Sequence, residues 1–239
     1  MGIKQKFFAL SGFVGVILAI VSCIGYFGAS NAVREGVERE ITASVAREQA
    51  NLDGWLTEKA RVSKSAASLM SAVGSNPAMA DNHELLKLFQ DDKEILVITH
   101  GTERNTFISS ANGNRTGQIN PNDREWYQDI KKGRGFHFTE PYMSKTSKKL
   151  VVSAITPYKN AQGQFAGGVC ENITLDVLGQ KVKELNFRGQ GNGVIISAAG
   201  KVLASTRSGI AQMSEAKEMP GMGQYYDEMK TKGSGYLNL

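Results

Sequence analysis

From Phe7 to Ala29 the chain carries no charged residue, and no proline interrupts the helical periodicity that follows as far as Gly74. At 1.5 Å rise per residue, that apolar run is long enough to cross a hydrocarbon core of about 30 Å. Lys4 and Lys6 precede it, and basic flanks stay on the cytoplasmic side. Residues 1–6 therefore read as a cytoplasmic N-terminus, 7–29 as a transmembrane helix and the remainder as extracytoplasmic. A cleaved secretory signal is the rival, with small-residue cut sites at Gly28-Ala29-Ser30 or Ser30-Asn31-Ala32. The run exceeds the roughly 7–15 residues of a signal's apolar region, and helix continues after it, which favours an uncleaved anchor.

Beyond the anchor, Val33, Val37, Ile41, Val45, Leu52, Trp55, Leu56, Val62, Ala66, Leu69 and Val73 recur at helical spacing among charged residues. Residues 30–74 read as a stalk helix. One face can pack on the domain it carries and another can meet a second copy, so a homodimer through the stalk is expected. Gly74-Ser75-Asn76-Pro77 ends the pattern, and Asn82 to Gln90 reads as a short second helix.

The pattern then changes to strands. Ile95 to Ile98 and Thr106 to Ile108 flank a polar loop, and Ala111 to Asn114 is a further loop. Asp123 to Lys131 reads as a short helix capped by Asn122 or Asp123. Lys149 to Tyr158 and Gln164 to Leu175 predict an antiparallel pair across the turn Lys159 to Gly163, and Asp176, taken as N-cap, starts a helix to Leu185. A second cycle opens near Gly189, with Gly193 to Ile196 and Lys201 to Ala204 as a hairpin, and a last strand start lies at Gly233 to Leu237. The fold class is α+β: a long N-terminal helix carrying two antiparallel-sheet modules. The second is cut short, so cytoplasmic signalling partners would be reached through a missing C-terminal part.

Composition narrows the function. The net charge is +5, two of those charges being Lys4 and Lys6, and no basic run with interleaved aromatics occurs, which excludes nucleic-acid binding as a reading. Cys23 and Cys170 sit in the apolar run and in a distant strand, so no disulfide or metal-ligand spacing is present. Cys170 reads as a small core residue. His83, His100 and His137 are scattered, and no GxSxG occurs, so an enzyme, a metal site and a cofactor are not expected.

What remains is Asp123-Arg124-Glu125-Trp126-Tyr127, with Tyr142 and Asn172 downstream. A guanidinium offers a planar fork of donors to a carboxylate, and flat aromatic faces can wall its pocket. Within a helix, Tyr127 at i+3 shares the face of Arg124, while Trp126 pairs with Ile130 and forms a wall by packing. The plain alternatives are a surface ion pair for Arg124, core packing for the two aromatics, a strand-start aromatic for Tyr142 and a strand-edge bond for Asn172.

Together with Glu140-Pro141-Tyr142 and Val169-Cys170-Glu171-Asn172-Ile173, the anchor, stalk and Arg124 segment resemble the double-Cache sensor of bacterial methyl-accepting chemotaxis receptors. Such PAS-like modules also occur on sensor histidine kinases and cyclic-di-nucleotide enzymes. The resemblance implies a ligand-binding membrane-distal module over 75–188 and a truncated membrane-proximal module over 189–239. In amino-acid-binding members, Arg and Trp hold the ligand carboxylate while an Asp and tyrosines hold its ammonium. Arg124, Trp126, Tyr127 and Tyr142 match. Ile119 stands where a Tyr is expected, and Asn172 where the Asp is expected. An amide offers an ammonium less than a carboxylate does, so the resemblance with this departure implies a small carboxylate ligand. Glu171 takes the place of Asn172 if a bulge shifts the register, which would restore a site for an amino acid or amine.

Overall fold

A single helix, Ile3–Val73, occupies the first part of the chain. A computed structural model describes residues 2–73, 83–184 and 191–232. The chain divides into two compact units, residues 1–51 and 52–239. In the first, the apolar side chains face outward: Phe13, Ile17, Val21, Ile24 and Phe27 are all exposed. An 18-residue stretch of this helix reaches a mean hydropathy of 2.1, so length and composition suffice to cross a membrane.

The second unit is built on a seven-stranded antiparallel sheet. Its strands are β1 (Ile95–Thr102), β2 (Phe107–Ser109), β3 (Gly113–Asn114), β4 (His137–Phe138), β5 (Tyr142–Met143), β6 (Leu150–Lys159) and β7 (Phe165–Thr174). The order is β3-β2-β1-β7-β6-β4, with β5 also on β6. Strands β6 and β7 are central and covered on both faces, so β6 reads as a nearly continuous apolar run from Leu150 to Ile155, whereas β7 buries Gly, Cys, Glu and Asn among its apolar residues. Asn160 closes the turn between them by accepting from the backbone N–H groups of Gln162 and Gln164. Gly163 supplies the positive φ of 77° that the turn requires.

Alternation along the strands makes two different faces. On one, Ile98, Ile108 and Val169 pack against Ala66, Ala67 and Met70 of the long helix. On the other, Phe107, Ile155 and Cys170 pack under Trp126, Tyr127 and Ile130. Helix Leu175–Glu184 follows β7 directly and buries Leu175, Leu178 and Val182 against Val152, Ile173 and Leu203. Strands β8 (Val194–Ile196) and β9 (Val202–Ser205) form a second, two-stranded sheet.

The backbones approach closely where β1, β6 and β7 meet. A Cβ on Gly167 would lie 2.5 Å from the carbonyl oxygen of Gly101 and 2.7 Å from the Tyr158 hydroxyl. Gly167→Ala is therefore expected to cost about 1–3 kcal/mol, measured by denaturant unfolding, because a backbone atom cannot rotate out of the way.

Several expected elements move. Gly113–Asn114 pairs with β2 instead of looping freely. The second helix shortens to Glu84–Lys87, and Asp176 lies inside the first turn of its helix because Leu175 is already helical. The expected break at Gly74 to Pro77 and the strand start at Gly233 to Leu237 lie outside the described residues.

Candidate functional site

The cleft face of the sheet is organised by the chain between β3 and β4. Asn120 accepts from the N–H of Asn122 at 2.9 Å and caps a 3-10 turn, Pro121–Asp123. Arg124 then adopts an extended conformation, φ −103° and ψ 130°, before helix Glu125–Ile130 begins. Neither Asn122 nor Asp123 caps this helix; Arg124 occupies the cap position and makes no side-chain cap bond. That extended residue breaks the face-sharing argument, since i+3 spacing aligns side chains only when both residues are helical. Trp126, not Tyr127, lines the cleft with Arg124.

Tyr127 is drawn the other way. It is fully buried, and its hydroxyl donates to Glu103 at 3.0 Å. Burial, reinforced by that carboxylate, raises its pKa above the ordinary phenol range. Ile119 packs into the same apolar cluster beneath the cleft. Tyr127 is thus part of the support rather than the lining.

The cleft is small, with about 20 Å³ of water-accessible space, and is lined by Arg124, Glu125, Trp126, Tyr142, Lys145 and Asn172, together with Val97, Thr99 and Phe107. Arg124 makes no ion pair among the described residues. Its guanidinium lies 5.5 Å from the centre of the Phe107 ring, and its Nε is buried without a hydrogen-bond partner. Lys145 donates to the carbonyl of Asp123 at 2.7 Å. Two cations and one carboxylate, Glu125, therefore border the cleft, which gives it a positive balance.

Asn172 sits on β7 opposite Ser153 of β6. On the β1 side the pairing slips between Ile95 and Val97, opposite the step from Ile173 to Asn172, but on the β6 side Glu171, Asn172 and Ile173 pair regularly with Ala154, Ser153 and Val152. Asn172 accordingly lines the cleft, and Glu171 points to the opposite face. Three donors converge on Asn172 Oδ1: Ser153 Oγ at 2.7 Å, Cys170 Sγ at 3.0 Å and Tyr142 Oη at 3.3 Å. Its amide nitrogen makes no bond within the described residues. The oxygen is thus committed to the protein, and the NH₂ is left as a donor toward the cleft. Burial raises the Tyr142 phenol and pushes the Cys170 thiol up to about 12, so both remain protonated donors at neutral pH.

Sequence reasoning brought Arg124, Trp126, Tyr142 and Asn172 together and misplaced Tyr127. It missed Lys145, Thr99 and the Ser153–Cys170 support. Period-2 alternation on β6 and β7 was the available signal for Ser153 and Cys170, because both share the face of Asn172.

A long helix thus lies on one face of an antiparallel sheet, and a small cleft lined by Arg124 lies on the other. The chain belongs to the methyl-accepting chemotaxis protein-like family, whose first PDC sensor domain matches residues 59–180. It is 25% identical over 204 residues to the methyl-accepting chemotaxis protein PscA of Pseudomonas syringae pv. tomato, covering 85% of this chain and 32% of that protein. The chain thus spans about a third of the length of that relative. The fold resembles the ligand-binding domain of the Pseudomonas fluorescens chemoreceptor CtaA in complex with L-isoleucine. There the TM-score is 0.62 at 22% identity, over 79% of this chain and 76% of that one. It also resembles the ligand-binding domain of the Pseudomonas aeruginosa amino-acid chemoreceptor PctC in complex with GABA. For that pair the TM-score is 0.56 at 20% identity, over 72% of this chain and 78% of that one.

Proposed function

We propose that this chain is the membrane-anchored, extracytoplasmic sensor of a chemotaxis receptor and that its cleft binds a small carboxylate. The observation that carries the reading is Arg124, a guanidinium with an orphaned, buried Nε and no acidic partner among the described residues. A buried donor left unpaired is costly, and a ligand carboxylate satisfies it with two parallel charge-assisted bonds. Asn172 refines the class. With its oxygen engaged by three donors, it offers hydrogens to a ligand carbonyl, hydroxyl or second carboxylate oxygen rather than accepting from an ammonium.

In this reading, residues 7–29 anchor the chain, residues 75–188 form the membrane-distal binding module, and the stalk helix pairs with a second copy. Ligand binding biases the position of the long helix, as any ligand must if it prefers one of two arrangements. An α-amino acid is the second reading. Glu125 at the cleft supports it, as does the similar domain whose structure holds L-isoleucine; the one that holds GABA, a γ-amino acid, supports an amine-bearing carboxylate more broadly.

A thermal-shift screen of the chain in detergent against monocarboxylates, hydroxy and keto acids, dicarboxylates, α-amino acids and amines separates the readings. Carboxylates lacking an amine are expected to raise the melting temperature most. Asn172→Asp should reverse that order, weakening carboxylates by about tenfold through like-charge repulsion and admitting α-amino acids. If the native chain already responds best to α-amino acids, the acceptor-seeking role of Asn172 is wrong.

A further inference from the structure

The sheet face turned away from the cleft carries a row of polar groups where it meets the long helix. Trp55 Nε1 donates to Glu94 at 2.6 Å, and Lys59 is bonded to both Asp92 and Glu94. Ser63 Oγ lies 2.8 Å from Thr156 Oγ1, and His100 Nε2 lies 2.6 Å from Tyr158 Oη. Two members of this row are unsatisfied. Both carboxyl oxygens of Glu171 and the Nδ1 of His100 are buried with no hydrogen-bond partner among the described residues. Glu171 is 0% exposed. Register places it opposite Ile98, and His100 opposite Val169, so the two are diagonal neighbours on one face.

A fully buried carboxyl without a partner favours its neutral form. The charges that act on Glu171 are Lys59 on the long helix, which favours ionisation, and Asp92 before β1, which opposes it. Lys59 is already held by Asp92 and Glu94, and Lys181 of the following helix is spent on Glu94. Burial keeps His100 neutral and Tyr158 protonated. Burial, partly offset by Lys59, raises Glu171 to about 8. The next residue along β7 is Asn172, in the cleft, so any shift of this strand segment is felt at once on both faces.

We infer that Glu171 is a proton-linked coupling residue between the cleft and the long helix: it is neutral with the helix seated as described, and it gives its proton to solvent when β7 shifts against the helix. This rests on the cleft being the ligand site only in naming what moves β7; the proton linkage is read without ligand. The sign of the linkage is set. The unfolded chain releases this proton near pH 4.3 and the folded chain holds it to about pH 8. The stabilisation is therefore fully present below the lower value, declines as pH rises through that window and is gone above the upper one.

The chain holds two tryptophans, Trp55 at the helix interface and Trp126 in the cleft, and each can be read alone. Fluorescence of Trp55→Phe and Trp126→Phe chains in detergent, titrated across about pH 5 to 9, would be set beside the infrared C=O band of a protonated carboxyl. We expect that band at neutral pH, its loss toward pH 8–9, and parallel emission changes at both tryptophans, all abolished by Glu171→Gln. An absent band, a Trp126 titration that survives Glu171→Gln, or a response at Trp55 alone would each overturn the coupling. Should Glu171→Gln not fold, the band and the two emission curves of the Glu171 chains decide alone: different midpoints overturn the proposal. A missing cleft response with the band intact also separates this failure from loss of the carboxylate reading, which the ligand screen tests independently.

Discussion

Lys59→Ala is expected to lower the stability of the chain by about 3 kcal/mol, the scale for removing one partner of a buried ion pair. Lys59 is only 1% exposed, yet its ammonium reaches Asp92 and Glu94, each about a third exposed. Burial alone would favour loss of its proton, but the two carboxylates more than offset this and raise its pKa. Removing it leaves those carboxylates facing each other, strips the packing of its four-carbon stem and takes away the one cation that acts on Glu171. For a chain of this size the drop corresponds to about 6–12 °C in melting temperature, readable by calorimetry or circular dichroism. Lys59→Met separates packing from charge, because it keeps most of the stem. A Met variant as stable as the parent would show that the ion pair adds no net stability. Acid should act in the same direction. Burial raises Glu94, but bonds from Lys59, Trp55 and Lys181 outweigh it and hold its pKa at about 2. Its contribution is present above the ordinary carboxylate range and lost as pH falls through that range toward 2.

Arg124→Ala should weaken a carboxylate found by the ligand screen by about 30-fold or more, following the 2–5 kcal/mol typical of truncating one member of a desolvated charge pair. Titration calorimetry on the parent and variant chains measures it. The fold should be indifferent, since Arg124 forms no ion pair among the described residues and its Nε is already unsatisfied. Arg124→Lys should recover part of the affinity, because an ammonium keeps the charge but lacks the planar fork. Carboxylate affinity that survives Arg124→Ala would falsify the assignment of this residue to the ligand.

Much of this architecture was legible in the sequence. The uncharged run and the proline-free periodicity specify the helix Ile3–Val73 because both are long, local signals. Strands β6 and β7 were legible for the same reason, being ten residues each around a turn with unambiguous chemistry. Short elements were not. Gly113–Asn114 becomes a strand only because β2 is there to pair with it, a tertiary cause with no local trace. Tyr127 was assigned to the wrong side because the helix begins one residue after Arg124, and a shift of that size rotates every side-chain argument by about 100°. Asn172 and Glu171 could not be told apart from sequence, because only the regular ladder with Ser153 and Ala154 shows which faces the cleft. The positions that hold Asn172 in place carried only the signal of strand alternation, because serine and cysteine in a buried strand otherwise look like ordinary small residues.

Those two positions bear on how receptors of this kind diversify. The polarity that Asn172 presents to the cleft is set by Ser153 and Cys170, neither of which lines it, together with Tyr142, which does. Replacing both with residues that cannot donate leaves Tyr142 as the one remaining donor to the amide oxygen among the described residues and weakens its hold on that orientation. A lineage could thus change from reading acceptors to reading donors while every residue touching the ligand stays the same. Comparing cleft-lining residues alone would then group receptors whose diets differ.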